Sequence, residues 1–313
     1  MLILPTVQSE HIARILKQRY SDRFDFLSLG GNKDGKMEFP GGEVYVRVED
    51  IEKIDGQDVT VLHCGAPRAN TSTVGIFFTL YSLMRPMYSR GKDERGKKVF
   101  GELDVTARSK RVFFLYPAYC RQDWPDMTGG INAAEYLIWC ITNHGVEKIY
   151  TLDAHFAADD WVTKYPLVNV SAKEILLEKA AKEGFQDLFL IGPDGSTMER
   201  MGVNGVKKDR LNSFETKSHF PEELADEVKG RDVGVVDDLL QSGSTMDNAA
   251  QHLRRFGVRR LVALLPHLRL DEGYRRIDSL YDAIFITNSI DNPRANVDVT
   301  DLVAQTLLKD ISD

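Results

Sequence analysis

The stretch from Val233 to Met246 reads VGVVDDLLQSGSTM: apolar residues, two adjacent carboxylates at Asp237 and Asp238, then Gly243 flanked by Ser242, Ser244 and Thr245. A buried strand that runs through a glycine turn into a helix start aims backbone N–H groups outward, where they can hold a phosphate. Gly243 lets the backbone come close to a ligand. The hydroxyls add donors, and paired acids at a strand end can accept hydrogen bonds from the vicinal hydroxyls of a ribose. The segment therefore reads as a ribose 5-phosphate site made by Asp237, Asp238, Gln241, Ser242, Gly243, Ser244 and Thr245. An ordinary serine helix cap is the plainer alternative, and the paired acids argue against it.

Other groups with chemical potential lie along the chain. They are Glu43 in Phe39-Pro40-Gly41-Gly42-Glu43, Arg121-Gln122-Asp123, His155 in Leu152-Asp153-Ala154-His155, Asp194 in Ile191-Gly192-Pro193-Asp194-Gly195, and Lys208-Asp209-Arg210. Singly each is weak: Arg-Gln-Asp occurs on many surfaces, a histidine at a strand end is more often structural, and Pro-Asp-Gly is a common turn. Lys207, Lys208 and Arg210 alone would read as an exposed basic loop in a polar stretch that runs to Ser218.

The elements that must position these residues follow from periodicity. Apolar, β-branched runs at 59–62, 111–116, 148–152, 188–191, 233–236, 261–265 and 283–286 read as strands. Between them Thr73–Met84, Ile131–Asn143, Ala172–Glu183 and Ser244–Phe256 carry apolar residues three and four apart and read as helices; Met246, Ala249, Ala250, Leu253 and Phe256 form one stripe. Gly145, Gly184 and Gly257 stand just past three of these helices, where a left-handed residue commonly ends one. Strand alternating with helix predicts parallel sheets covered on both faces, with chemistry at the carboxyl ends of strands. The Pro-containing turn at Tyr165–Asn169 is a domain boundary, and residues 85–111, rich in Lys, Arg, Gly and Asp, read as a solvated flap or hairpin.

Composition bounds the rest. At 313 residues the chain suits two domains. A net charge of -7 opposes broad binding to nucleic acid or anionic membrane, so any anion site is local. Cys64, Cys120 and Cys140 are odd in number and fall in no metal-binding spacing, which predicts reduced thiols and a cytoplasmic setting. The opening MLILPTVQSEHIAR carries no export signal, and no long apolar run suggests membrane insertion.

Taken together and in order, the motifs resemble one family. The 233–245 loop is similar to the phosphoribosyl-pyrophosphate motif of the type I phosphoribosyltransferase fold. Phe39–Arg47 resembles the FPDGE-type loop and following strand of the ribose-phosphate diphosphokinases, with Gly42 where an acid is usual and Glu43 kept. Arg121-Gln122-Asp123 resembles that family's ATP-contacting segment, Leu152–His155 its magnesium-binding DLH segment, Ile191–Gly195 its acidic turn, and Lys208-x-Arg210 its catalytic arm.

The resemblance implies an α/β fold of two tandem phosphoribosyltransferase-like domains, each a mainly parallel sheet flanked by helices. Their expected bounds are 1–166, with the ATP-side residues Phe39, Gly42, Glu43, Arg121, Gln122 and Asp123, and 167–297, with the ribose 5-phosphate site; residues 298–313 are expected to pack back on the first. It also implies a homo-oligomer, Mg2+ held by His155 and Asp194, and Lys208 and Arg210 as catalytic cations. The implied reaction carries the β,γ-diphosphoryl group of ATP to ribose 5-phosphate. A phosphoribosyltransferase and a non-catalytic regulatory homologue are the competing readings. Departures mark a divergent branch: Trp124–Gly130 replaces the usual basic continuation, Phe156–Asp160 follows His155, and Gln241 stands where Asp or Thr is usual.

Overall fold

A computed structural model describes residues 1–193, 197, 204–205 and 223–312. The strands are β1 (Leu2–Pro5), β2 (Asp25–Phe26), β3 (Asp58–Cys64), β4 (Met87–Lys92), β5 (Lys98–Glu102), β6 (Ser109–Tyr116), β7 (Lys148–Leu152), β8 (Leu167–Val170), β9 (Phe189–Gly192), β10 (Asn204–Gly205), β11 (Asp232–Val236), β12 (Leu239–Leu240), β13 (Arg260–Leu265), β14 (His267–Leu268) and β15 (Ala283–Ile286). The helices are α1 (Glu10–Arg19), α2 (Ala69–Met84), α3 (Ala133–Asn143), α4 (Lys173–Lys182), α5 (Glu223–Val228), α6 (Ser244–Arg255), α7 (Asp271–Ile277) and α8 (Thr300–Ser312). Two compact units result: Met1–Thr151 with Asp159–Asn169 and Leu307–Asp313, and Leu152–Ala158 with Val170–Thr306.

The first unit is organised on a sheet of order β2-β1-β3-β6-β7-β8, in which β1, β2, β3, β6 and β7 pair in parallel. Strands covered on both faces need apolar side chains in both directions. Accordingly Val59, Val61 and Leu62 of β3 and Val112, Phe113, Phe114 and Leu115 of β6 are all buried. Burial of a side chain the size of Phe113 contributes about 2–3 kcal/mol.

α2 begins four residues before the apolar pattern suggests. Asn70, Thr71 and Ser72 resemble cap residues, yet Ser72 Oγ bonds the Ala69 carbonyl at 3.1 Å and Thr79 Oγ1 that of Gly75 at 2.8 Å, so these hydroxyls are satisfied inside the helix. α3 begins later than expected because the Asn132 side chain accepts the Glu135 N–H at 2.8 Å and caps it. Residues 85–111 contain the antiparallel ribbon β4–β5, whose first strand is exposed throughout. After Glu43 no strand forms: Val44 and Val48 make isolated bridges to Glu38 and Leu29 instead.

The second unit carries the parallel sheet β10-β9-β11-β13-β15. β11 is buried at every position, as a central strand requires. Met246, Ala249, Ala250 and Leu253 of α6 are buried in the same core as Val233, Val235, Leu261 and Ala263, while Phe256 is only partly buried against it. Beyond β11 and β13 the two chains stay side by side as the short parallel pair β12–β14. Gly145, Gly184 and Gly257 all take positive φ after their helices. Among the described residues no helix is long and apolar enough to cross a membrane.

Candidate functional site

The carboxyl end of β11 delivers Asp237 and Asp238 into the turn that starts α6. Asp237 Oδ1 accepts from the Asp238 N–H at 3.1 Å and from Thr197 Oγ1 at 3.2 Å, which fixes the first acid from two directions. Asp238 is buried, and its Oδ2 lies 2.7 Å from His155 Nδ1. His155 belongs to the same compact unit and follows Leu152, Asp153 and Ala154 at the end of β7. The structure therefore places an imidazole against one of the two paired acids.

Gln241, Ser242, Gly243, Ser244 and Thr245 form the turn itself. Gly243 is the residue before α6, with φ +76°, and having no side chain it does not itself cap the helix as a serine would. Ser242 and Ser244 hydroxyls lie 3.2 Å apart. A Cβ on Gly243 would stand 2.8 Å from the Gly273 carbonyl oxygen, and one on Gly273 only 2.2 Å from that of Gln241. The α7 backbone thus packs directly on the turn, and both positions need glycine. Arg276, one helical turn on, donates to Ser244 Oγ and to Asp247, each at 2.9 Å.

Behind these side chains lies a buried polar layer. Asp153, with φ +37°, accepts the Ala172 N–H at 2.7 Å, and burial pushes its carboxyl up to about 6. His267 of β14 is buried: Nε2 lies 2.9 Å from the Leu152 carbonyl oxygen and Nδ1 2.8 Å from Ser289 Oγ. Burial lowers the His267 pKa to about 4, so the ring is neutral at pH 7. Because a carbonyl only accepts, Nε2 carries the proton; Nδ1 faces Ser289 Oγ, which also lies 2.9 Å from the Pro266 carbonyl that takes the Thr287 hydroxyl at 2.5 Å.

The other sequence candidates occupy the first unit. Phe39–Glu43 is a tight turn closed by Phe39 N–H to Glu43 O and Gly42 N–H to Phe39 O, each 2.9 Å, with Gly42 at φ +87° and Glu43 exposed. Arg121, Gln122 and Asp123 follow β6; the Gln122 carbonyl accepts from Ala133 and Ala134 at the start of α3. Both segments reach the start of α2. Arg68 bonds Glu38 at 2.6 Å, next to the first turn, and Asn70 accepts from Tyr119 at 2.5 Å, next to the second. Asp194, Lys208 and Arg210 lie outside the described residues.

Five residues of this arrangement escape the sequence reading: Thr197, His267, Gly273, Arg276 and Arg68. His267 left a usable trace, since it stands two residues past the strand LVALL, where chemistry collects in such folds. Gly273 left none, because its close approach depends on how α7 meets a turn some thirty residues earlier.

Comparison with known proteins agrees with this geometry. Residues 195–303 match the phosphoribosyl transferase domain family. Ribose-phosphate pyrophosphokinase of Methanopyrus kandleri is 29% identical over 98% of this chain and 98% of its own length. Ribose-phosphate pyrophosphokinase 1 of Archaeoglobus fulgidus is 26% identical over 86% of this chain and 89% of its own. The corresponding protein of Vibrio vulnificus is 24% identical over 88% and 83%. The crystal structure of phosphoribosylpyrophosphate synthetase from Mycobacterium smegmatis superposes with a TM-score of 0.75 on 99% of this chain and 98% of its own, at 16% identity. The fold is of the phosphoribosyltransferase type, with mainly parallel sheets flanked by helices. Along most of its length the chain is similar to ribose-phosphate pyrophosphokinases, at 24–29% identity.

Proposed function

We propose that this protein is a magnesium-dependent ribose-phosphate diphosphokinase, forming phosphoribosyl pyrophosphate and AMP from ribose 5-phosphate and ATP. One observation carries the reading: the Asp237–Asp238 pair, its second acid buried, leads into a helix start through a turn in which Gly243 is packed against Gly273 so closely that neither position has room for a side chain. The turn from Gln241 to Thr245 receives the 5-phosphate, and the two acids accept the ribose hydroxyls. Phe39, Gly42, Glu43, Arg121, Gln122 and Asp123 are assigned to ATP, in a domain of residues 1–166; the acceptor site belongs to residues 167–297, and the contacts of Asp310 with Arg111 and Lys148 support residues 298–313 returning to the first domain.

In the reaction the C1 hydroxyl oxygen attacks the β-phosphorus in line. Its bond to that phosphorus forms as the α,β bridging oxygen leaves with AMP, and the hydroxyl proton is lost. Little covalent work falls to the protein, so positioning and charge dominate. Lys208 and Arg210 place positive charge on the phosphate oxygens. His155 and Asp194 are the residues for Mg2+. An imidazole that donates through Nδ1 to Asp238 presents Nε2 as its unprotonated nitrogen, the pattern in which a carboxylate orients a metal-binding histidine. Magnesium favours few protein ligands with water and substrate phosphates, which suits this sparse donor set, and when bound it neutralises charge on the diphosphoryl group.

The same reading includes a homo-oligomer in the cytoplasm; the exposed Phe78, Tyr81, Tyr136 and Trp139 support self-association. Separation of nucleotides after incubation with ATP and Mg2+ tests the function. AMP is expected only when ribose 5-phosphate is added. Pyrophosphate release from phosphoribosyl pyrophosphate that requires a free base would favour a phosphoribosyltransferase, and substrate binding without turnover a regulatory homologue.

A further inference from the structure

His267 is a buried side chain outside the sequence motifs. It starts β14, which lies in parallel register with β12, so that Leu239 is opposite His267. Its backbone N–H reaches the Asp238 carbonyl oxygen at 3.2 Å, and its ring reaches the Leu152 carbonyl at 2.9 Å. Leu152 opens the Leu152-Asp153-Ala154-His155 segment, and His155 in turn meets the Asp238 carboxylate. The result is a closed circuit from Asp238 backbone through His267, Leu152 and His155 back to Asp238 side chain.

We infer that His267 is a positioning residue of the acceptor site: it ties the backbone that carries His155 to the backbone that carries Asp237 and Asp238, and so holds the imidazole on the second acid. The inference rests on the assignment of those residues to ribose 5-phosphate and magnesium.

Leu152 is the last residue of β7 and is buried. A backbone carbonyl at the end of a strand has lost its ladder partner, and when buried it must find another. His267 supplies it from a ring with no freedom of its own, since Ser289 fixes the other nitrogen. The segment that follows is held again at Asp153 by the Ala172 N–H. Two fixed points on three consecutive residues leave His155 little room to drift. Reacting groups displaced by about 1 Å lose large factors in rate, and partners that orient a metal-binding group typically matter by about 10- to 100-fold.

Two substitutions separate positioning from bulk stability. In His267→Gln the amide nitrogen reaches the place of Nε2 and keeps a donor for Leu152. In His267→Asn the amide reaches only the place of Nδ1, so the tie is lost with a similar polar group retained. Full-length His267→Asn is expected to lower kcat about tenfold or more and to raise the Mg2+ concentration for half-maximal rate, with the ATP KM within about twofold. His267→Gln is expected to recover kcat to within about threefold. A readout free of turnover accompanies these. In imidazole 1H–15N spectra, where the chain has seven histidines to assign, the His155 signals should move in the Asn variant and stay in place in the Gln variant. If His155 signals are unmoved in both, or if both variants lose kcat only in proportion to their unfolded fraction, the inference is overturned. Wild-type turnover is judged separately: its absence with the spectral pattern intact would sink the proposed reaction and leave the His267 tie standing.

Discussion

His155 Nδ1 lies 2.7 Å from Asp238 Oδ2, so the carboxylate proposed to bind ribose also holds the ring proposed to bind magnesium. On those assignments a single hydrogen bond couples acceptor binding to metal use. Asp238→Asn keeps the shape and removes the charge. Calorimetry should show ribose 5-phosphate binding weakened about tenfold or more, and the Mg2+ requirement of the rate should rise with it. A variant that binds the sugar phosphate as wild type does would refute the assignment of Asp238.

The contact between Gly273 and Gln241 makes a second, purely steric prediction. Alanine at 273 would place Cβ 2.2 Å from a backbone oxygen, closer than any side-chain adjustment can relieve. The turn must shift, and if it holds the 5-phosphate as proposed, ribose 5-phosphate affinity should fall about tenfold or more. Gly75→Ala is the control, because its Cβ would meet nothing nearer than a Val44 methyl at 3.8 Å. Equal affinities in the two variants would show that the turn tolerates movement.

Lys208→Ala tests the catalytic role proposed for that lysine. Loss of a cation that acts on charge formed in the transition state typically costs about 100-fold or more in kcat, and the melting temperature is expected to stay within about 2 °C of wild type. Steady-state kinetics and thermal melting together decide it: an unchanged kcat removes Lys208 from the mechanism.

Stability should fall with acid before any carboxylate titrates in an unfolded chain. Burial lowers the folded pKa of His63 to about 3 and of His267 to about 4, against 6.5 when exposed. Below about pH 6.5 the unfolded chain takes up protons that the folded one refuses, so each histidine removes up to about 1.4 kcal/mol per pH unit. Asp153, with its carboxyl raised to about 6, works in the opposite sense between about pH 4 and 6 and offsets one of the two. The net slope stays positive. Urea midpoints at pH 7, 6 and 5 should therefore decrease in that order, and a flat series would contradict the neutral buried rings.

Asp310 should tie the C-terminal helix to the first unit. Its carboxylate takes Arg111 Nε at 2.5 Å and also bonds Lys148. Asp310→Ala leaves the largely buried Arg111 without this partner, and denaturant titration is expected to show a loss of about 2 kcal/mol. No change would mean that the helix is held by its apolar face alone.

How much of this was legible beforehand varies with the kind of interaction. The strands at 59–62, 111–116 and 233–236 were readable because burial on both faces forces unbroken apolar runs. The Asp237–Thr245 loop was readable because its residues are contiguous. β1 was not: Leu2–Pro5 is four residues long and ends in proline, too short to show a period. Nor was the fate of Val44–Arg47, whose β-branched residues promise a strand that finds only isolated bridges. Gly273 owes its importance to Gln241, thirty-two residues away, and the tie from His267 is to Leu152, more than a hundred residues away; the place of His267 after a strand could be read, but not these partners. His155 stood between the two cases, visible as a candidate but without any sign that Asp238 would hold it.

The central claim concerns which bond of ATP is broken and where the diphosphoryl group goes. Phosphorus NMR of the protein with ATP, ribose 5-phosphate and Mg2+ reads both at once. The expected spectrum gains AMP and phosphoribosyl pyrophosphate in equal amounts, with no ADP and no free phosphate. ADP with a singly phosphorylated C1, or an unchanged spectrum from folded protein, would contradict it.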